Sequence, residues 1–244
     1  MSSFINITDS EKAGTELLQA QNQRLASIEQ LAAGVAHEIN NPLMALSTEI
    51  QLLLETSKDK KLVESLKNMD KFSKRIAGIV TDLVTFSRDI STDAREFSGI
   101  NSLIEKTLLS MKRRFKLTNI KIVKKFDKIL PNLTIDKEQI EQVFINILMN
   151  SLDIMPNGGK LTVSTKLSST KDAVEIIFVD TGSGIAKENL PKIFDPFFTT
   201  KPPRNGTGMG LSVCHGIIEN HGGDIKIDSE LNRGTEVLIR LPIK

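Results

Sequence analysis

Residues 25–43 read LASIEQLAAGVAHEINNPL, and the spacing of their apolar side chains decides the architecture of the first third of the chain. Leu25, Ile28, Ala32, Val35 and Ile39 stand 3, 4, 3 and 4 apart. That is a coiled-coil seam. Leu43, Leu46, Ile50 and Leu53 continue it, but the step from Ile39 to Leu43 is 4 where 3 was due, and Pro42 lies inside the slip. A mid-helix proline removes one hydrogen bond and bends the helix. His37 lies two residues past Val35, about 200° around the helix, and so points away from the seam. Glu38 beside it can hold one ring nitrogen protonated and leave the other with a free lone pair. Asn41, one turn on, carries an amide that can orient a water or a phosphoryl oxygen. One histidine with one neighbouring glutamate does not make a zinc site.

Outward from this segment, Lys58–Lys61 reads as a polar turn. A second helix follows with Leu62, Leu66, Met69, Phe72, Ile76, Ile79, Leu83 and Phe86 on its apolar stripe. The pattern predicts an antiparallel helical hairpin over 17–88. One hairpin cannot hide both seams, so a homodimer, with two hairpins in a four-helix bundle, is expected. Residues 1–16 read as a leader and 89–97 as a charged linker.

From 98 to 244 the pattern becomes α/β. Asn101–Leu117 and Asp136–Met155 read as helices; Ile120–Phe126, Lys160–Leu167, Val174–Asp180, Gly223–Ser229 and Thr235–Leu241 read as strands. Bulk properties narrow the function classes. A formal net charge of +2 gives no broad electrostatic footprint for nucleic acid, and the chain has no Trp or Tyr for stacking bases. No apolar run approaches the length of a membrane span, and the N-terminus lacks a secretory pattern. Cys214 is the only cysteine, which excludes a disulfide framework or a multi-thiolate metal site within one chain. A cytoplasmic location is expected.

Three further constellations carry chemistry. Asn146, Asn150 and Asp153 fall at i, i+4 and i+7 and make a polar stripe on an otherwise apolar helix. The stripe fits a water-facing side, or a cleft where an amide oxygen ligates Mg²⁺ held mainly by phosphates. Asp180-Thr-Gly182-Ser-Gly184-Ile185 follows an apolar strand. It is either a plain strand-ending turn or a site where backbone approaches a flat ligand, the carboxylate accepting from the amine of adenine. Guanine would present an oxygen there and be repelled. Gly206-Thr207-Gly208-Met209-Gly210-Leu211 opens a helix, where free N–H groups bind phosphate. It is neither a Walker nor a Rossmann motif. Phe194, Phe197 and Phe198, just upstream and near Lys201 and Arg204, read either as an aromatic core cluster or as a hinged flap with a basic tip.

Taken in order, these boxes resemble the catalytic core of the sensor histidine kinases. His37-Glu38…Asn41-Pro42 resembles their phosphoacceptor box and Asn146…Asn150 their asparagine box. Asp180–Gly184 and Gly206–Gly210 resemble the two principal glycine boxes, Phe194–Phe198 the phenylalanine box, and Gly234-Thr235 the last glycine box. The resemblance implies a Bergerat-type α/β sandwich that binds ATP, behind a dimeric helical hairpin. It implies ATP-dependent phosphorylation of His37, with Glu38 as base and orienter, and transfer to an aspartate in the receiver domain of a response regulator. It also implies Mg²⁺ on Asn150, Asn146 beside the phosphates, Asp180 on the adenine amine, and a phosphate cradle from Gly206 to Leu211. Thr199, Thr200, Lys201 and Arg204 would carry the polar groups of a lid over the nucleotide. Glu38-x-x-Asn41 resembles the family's phosphatase motif.

Many members carry a basic residue where this chain has Asp153, as in the branch resembling nitrogen-regulation kinases; Lys201 or Arg204 is expected to supply the missing charge. Phe4–Lys12 resembles the end of a PAS sensor domain. Two rivals stand beside this reading. The first is an ATP-hydrolysing clamp of the gyrase kind, which would place a glutamate where Asn146 stands. The second is a dimeric scaffold that binds ATP without phosphorylating itself. His215 and His221 are expected to be structural, and the lysines between Lys112 and Lys128 to form a solvated face.

Overall fold

The computed structural model describes residues 38–87, 95–201 and 207–243. It divides into two compact units that part after Asp89. His37, Arg204, Gly206, the leader and most of the linker lie outside the described residues.

The first unit is a helical hairpin. Helix α1 spans 38–56, running unbroken through Pro42, and α2 spans Lys60–Ser87. The turn is shorter than the expected Lys58–Lys61, because Asp59 caps α2: its Oδ1 accepts from the Lys61 N–H at 2.9 Å and the Leu62 N–H at 3.5 Å. Leu43 and Ile50 of α1 and Leu66 and Val80 of α2 are buried. Ser47 and Ser73 hydroxyls meet at 2.8 Å, and Gln51 Nε2 donates to Asp70 Oδ1 at 3.2 Å, which fixes the pairing of the two helices.

The expected single seam divides in two. Leu46 and Leu53 are 52% and 46% exposed, and Met69, Phe72 and Ile76 are likewise open. At about 100° per residue, these lie roughly 40–100° to the same rotational side of the buried rows. In an antiparallel pair, equal rotation puts both sets on one face of the hairpin.

The second unit is an α/β sandwich. Its elements are β1 (Glu96–Ser98), α3 (Ile100–Ser110), α4 (Lys112–Leu117), β2 (Ile120–Phe126), β3 (Leu133–Ile135), α5 (Lys137–Asp153), β4 (Gly159–Leu167), β5 (Ala173–Asp180), α6 (Gly210–Asn220), β6 (Asp224–Glu230) and β7 (Gly234–Pro242). The main sheet has the order β2-β4-β5-β7-β6; β2 and β4 are parallel and the other pairs antiparallel. One face of it is closed by helices. Leu161 and Val163 of β4, Ile176 and Phe178 of β5, and Ile239 of β7 are buried, as are Ile140, Val143, Phe144 and Ile147 of α5 and Val213 and Ile217 of α6. Phe144 and Phe178 rings meet at 5.8 Å, joining α5 to the sheet. Cys214 is buried with its Sγ 3.8 Å from Val143 O, a packing role.

Two expectations need correction. The 89–97 linker ends early, since Glu96 and Phe97 belong to β1, paired antiparallel with β3. Strands of three residues are too short to show alternation. The expected Asn101–Leu117 helix is two helices that share Met111 as cap, at φ −94° and ψ 0°. Leu108, Met111 and Phe115 are all buried, so the apolar stripe continues across the break.

The helix ends also orient the site. Asp136 caps α5 by accepting from the Glu138 and Gln139 N–H groups. Its own N–H donates to Nε2 of buried His221 at 3.1 Å, while His221 Nδ1 lies 2.7 Å from Ile217 O. Nε2 therefore accepts and Nδ1 carries the proton, so His221 ties the end of α6 to the start of α5.

Candidate functional site

Strand β5 ends at Asp180, opposite Thr235 at the start of β7. Asp180 is buried. Its Oδ1 accepts from the Gly182 N–H at 2.9 Å and the Thr235 N–H at 3.2 Å, and Ser151 of α5 adds a third hydrogen bond. Burial pushes the carboxyl above the ordinary carboxylate range, against those three bonds, which pull it down. The result is a fixed acceptor at the end of the sheet's central strand. Gly234, at φ +97°, lets the strand pass: a Cβ there would sit 2.1 Å from Asp180 O. Ser229 braces the same corner, accepting from the Ile185 N–H at 2.9 Å and donating to Gly234 O at 2.8 Å. The side chain of Thr235 faces Ser229 at 2.9 Å, so this residue's part in the site is the N–H on Asp180.

Along the polar stripe on α5, Asn146 and Asn150 are half-buried and Asp153 is exposed, and their partners are in place. Asn146 Nδ2 donates to Gly210 O at 3.2 Å, and its Oδ1 accepts from Gln142 Nε2 at 3.1 Å. Asn146 thus fastens the middle of α5 to the first residue of α6. One turn on, Lys201 Nζ donates to Asn150 Oδ1 at 3.0 Å and to Asp153 Oδ2 at 2.7 Å. Of the two expected cations, Lys201 does reach Asp153.

At the start of α6, Met209 is buried, so its side chain belongs to the core and only its backbone faces outward use. The Met209 N–H donates to Thr207 Oγ1 at 3.2 Å. Gly208 has φ +72°, and a Cβ there would meet the Phe197 backbone at 2.4 Å. The phenylalanine segment is not a core cluster: Phe194 packs on His215 with ring centroids 5.1 Å apart, while Phe197 is 66% exposed. Thr199 Oγ1 accepts from the Lys201 N–H at 3.1 Å. Glu38 and Asn41, at the described start of α1, are both exposed.

Sequence reasoning missed Ser151, Gln142 and Ser229. Ser151 stands next to Asn150, and a hydroxyl on the buried side of an apolar helix was the available signal. Among the described residues no group of three or more His, Cys, Asp or Glu could hold a metal. An amide oxygen and a carboxylate already gathered about an ammonium do fit a hard cation whose remaining ligands come from phosphate.

Known proteins match both units. Residues 27–91 match the His Kinase A (phospho-acceptor) domain. Residues 135–244 match the histidine kinase-, DNA gyrase B-, and HSP90-like ATPase family. Sporulation kinase D of Bacillus subtilis is 36% identical over 95% of this chain and 46% of its own length. The signal transduction histidine-protein kinase AtoS of Escherichia coli is 35% identical over 94% of this chain and 37% of its own length. This chain therefore spans less than half of either. Among solved structures, the catalytic domain of histidine kinase ThkA is 31% identical, with a TM-score of 0.54 over 61% of this chain and 95% of that one. Histidine kinase ThkA in complex with the response regulator protein TrrA is 25% identical, with a TM-score of 0.64 over all of this chain and 68% of that one.

Proposed function

The chain belongs to the histidine kinase family, and on that premise we propose that it phosphorylates its own His37 from ATP and passes the phosphoryl group to an aspartate of a response regulator. The observation that supports this reading is the pairing of separated boxes: Asp180 with Thr235, Asn146 with Gly210, and Asn150 with Lys201.

Asp180 accepts from the adenine amine. The Thr207–Leu211 backbone, with Gly206 before it, receives phosphate at the start of α6. Ile185, Gly182 and Gly184 line the base. Thr199 would contact the phosphates, and Lys201 and Arg204 would supply positive charge near them. Asn150 would hold Mg²⁺, which would offset phosphate charge. Transfer to a His37 ring nitrogen then depends on position and charge neutralisation, with Glu38 orienting the imidazole and taking its proton. The response-regulator partner is supported by ThkA, which was solved with one.

The hairpin's exposed apolar face, with Leu46, Leu53, Met69, Phe72 and Ile76, supports a homodimer with a four-helix bundle. Residues 17–88 would form that phosphotransfer hairpin and 98–244 the ATP-binding domain, in a cytoplasmic setting. Asp153 supports a place in the nitrogen-regulation branch, and residues 1–16 resemble the end of a PAS domain. Asn41 would also help water remove phosphate from the regulator. Asn41→Ala should leave labelling of the chain intact and slow the regulator's loss of phosphate.

The gyrase-like rival is disfavoured by Asn146, whose amide oxygen and nitrogen are both engaged and cannot take a proton from water. Incubation with γ-labelled ATP and Mg²⁺ decides among the readings. The kinase gives a label lost in acid and kept in base. Steady phosphate release without labelled protein would favour the clamp, and neither label nor release the scaffold.

A further inference from the structure

Lys201 makes two contacts that bear on how the cleft is loaded. Its ammonium lies 3.0 Å from Asn150 Oδ1 and 2.7 Å from Asp153 Oδ2, and its side chain is 27% exposed. Asn150 and Asp153 are one turn apart on α5, 48 or more residues before Lys201. The contact is therefore tertiary, not an accident of one helix face. Asp153 is the anchor, because an ion pair at this length outweighs the ammonium's bond to a neutral amide. Asn150 is the consequence: its oxygen already has a cation on it.

An amide oxygen has two lone pairs, but a monovalent and a divalent cation within a few ångströms of each other repel strongly in a partly buried cleft. Asn150 cannot keep Lys201 and accept Mg²⁺ together at no cost. We propose that Lys201 is a built-in counter-cation, held by Asp153, which competes with Mg²⁺ for the metal-ligating oxygen of Asn150 and gives it up when nucleotide brings the metal in. The inference rests on the assignment of Asn150 as the Mg²⁺ ligand. It gives Asp153 a role where many family members have a basic residue. Asp153 does not replace that charge but stores a mobile one. Lys201 is a positioning residue in this scheme, since it acts on the metal through Asn150.

The test is equilibrium binding of a fluorescent ADP analogue to the full chain, titrated with Mg²⁺. Four proteins are compared: unsubstituted, Lys201→Met, Asp153→Asn and the double variant. Lys201→Met should lower the Mg²⁺ concentration for half-maximal nucleotide binding by about 3–10-fold. In the Asp153→Asn background the same Lys201 substitution should change that midpoint by less than about 2-fold, since the ammonium is no longer held. Nucleotide affinity in excess chelator should not rise in Lys201→Met. A midpoint that stays put or rises in Lys201→Met would overturn the proposal, as would an equal effect in both backgrounds. Failure of the unsubstituted chain to bind the analogue at any Mg²⁺ concentration would instead sink the nucleotide-site assignment itself. Circular dichroism melts of the four proteins confirm that each is folded.

Discussion

The two units differ in how much of their chemistry is already settled. In the α/β unit the large apolar side chains of α5, α6 and the sheet are buried within the chain. Its site residues sit in hydrogen-bonded positions: Asp180 with Gly182, Thr235 and Ser151, and Asn146 with Gly210 and Gln142. In the hairpin, Leu46, Leu53, Met69, Phe72 and Ile76 stand open, and so do Glu38 and Asn41. A site that binds a small, flat, charged molecule gains from being pre-formed, since ordering then costs little. A segment that must accept phosphate from one protein surface and present it to another has to remain reachable. The α/β unit holds its site residues in pre-formed positions, whereas the hairpin leaves its apolar face and its polar groups open.

The sharpest attempt to break this contrast is Asp180→Asn. Loss of the charged acceptor should weaken adenine nucleotide binding about 10–100-fold, as expected for a hydrogen bond to a charged group. Isothermal titration calorimetry would measure it. The fold should not suffer. Because burial raises the Asp180 carboxyl, its ionised form is disfavoured by folding. Its contribution to stability is therefore present at low pH and lost as pH rises through the raised value. Removing the charge should leave the melting temperature at neutral pH unchanged or higher. Nucleotide binding has the opposite sign. The amine donor favours the ionised acceptor, so affinity should fall on acidification, starting above the usual carboxylate range.

A change on the hairpin should act the other way round. Leu46→Glu with Phe72→Glu should weaken self-association about 100-fold or more, at roughly 1.5–3 kcal/mol for each large apolar side chain left unburied. Analytical ultracentrifugation would report a shift toward monomer, while nucleotide affinity stays within about 2-fold. Gly208→Ala probes pre-formation directly. It combines a left-handed φ with a backbone clash against Phe197 and should cost about 2–3 kcal/mol in urea unfolding of the α/β unit. The smallest effect is expected from His221→Ala, which orphans the Asp136 N–H. A loss of about 1–2 kcal/mol by the same method is expected, with no change in labelling.

Much of the α/β unit was legible because its elements are long. Strand β2 was expected at Ile120–Phe126 and forms there, with β4, β5 and β7 within a residue of expectation. What escaped is short or relational. β1 and β3 have three residues each and exist only because they pair. The break at Met111 leaves Leu108, Met111 and Phe115 at helical spacing, so the apolar pattern does not announce it. The direction of the asparagine stripe stayed open until Gly210 and Gln142 were seen beside Asn146. The hairpin's two apolar faces could not be told apart by spacing, because Leu43 and Leu46 look alike until α2 lies against one of them. Ser229 carries no signal of its own and matters through the corner it braces.

The central claim is that the pre-formed unit supplies a phosphoryl group which the open one accepts at His37. The chain has three histidines, and tryptic cleavage separates them: His37 falls in 25–58, His215 and His221 together in 205–226. The deciding measurement is the location of label after incubation with γ-labelled ATP and Mg²⁺, with digestion and separation kept alkaline. The account predicts acid-labile label in 25–58 and none in that peptide from His37→Ala. Label in 205–226, or label that persists in His37→Ala, would contradict it.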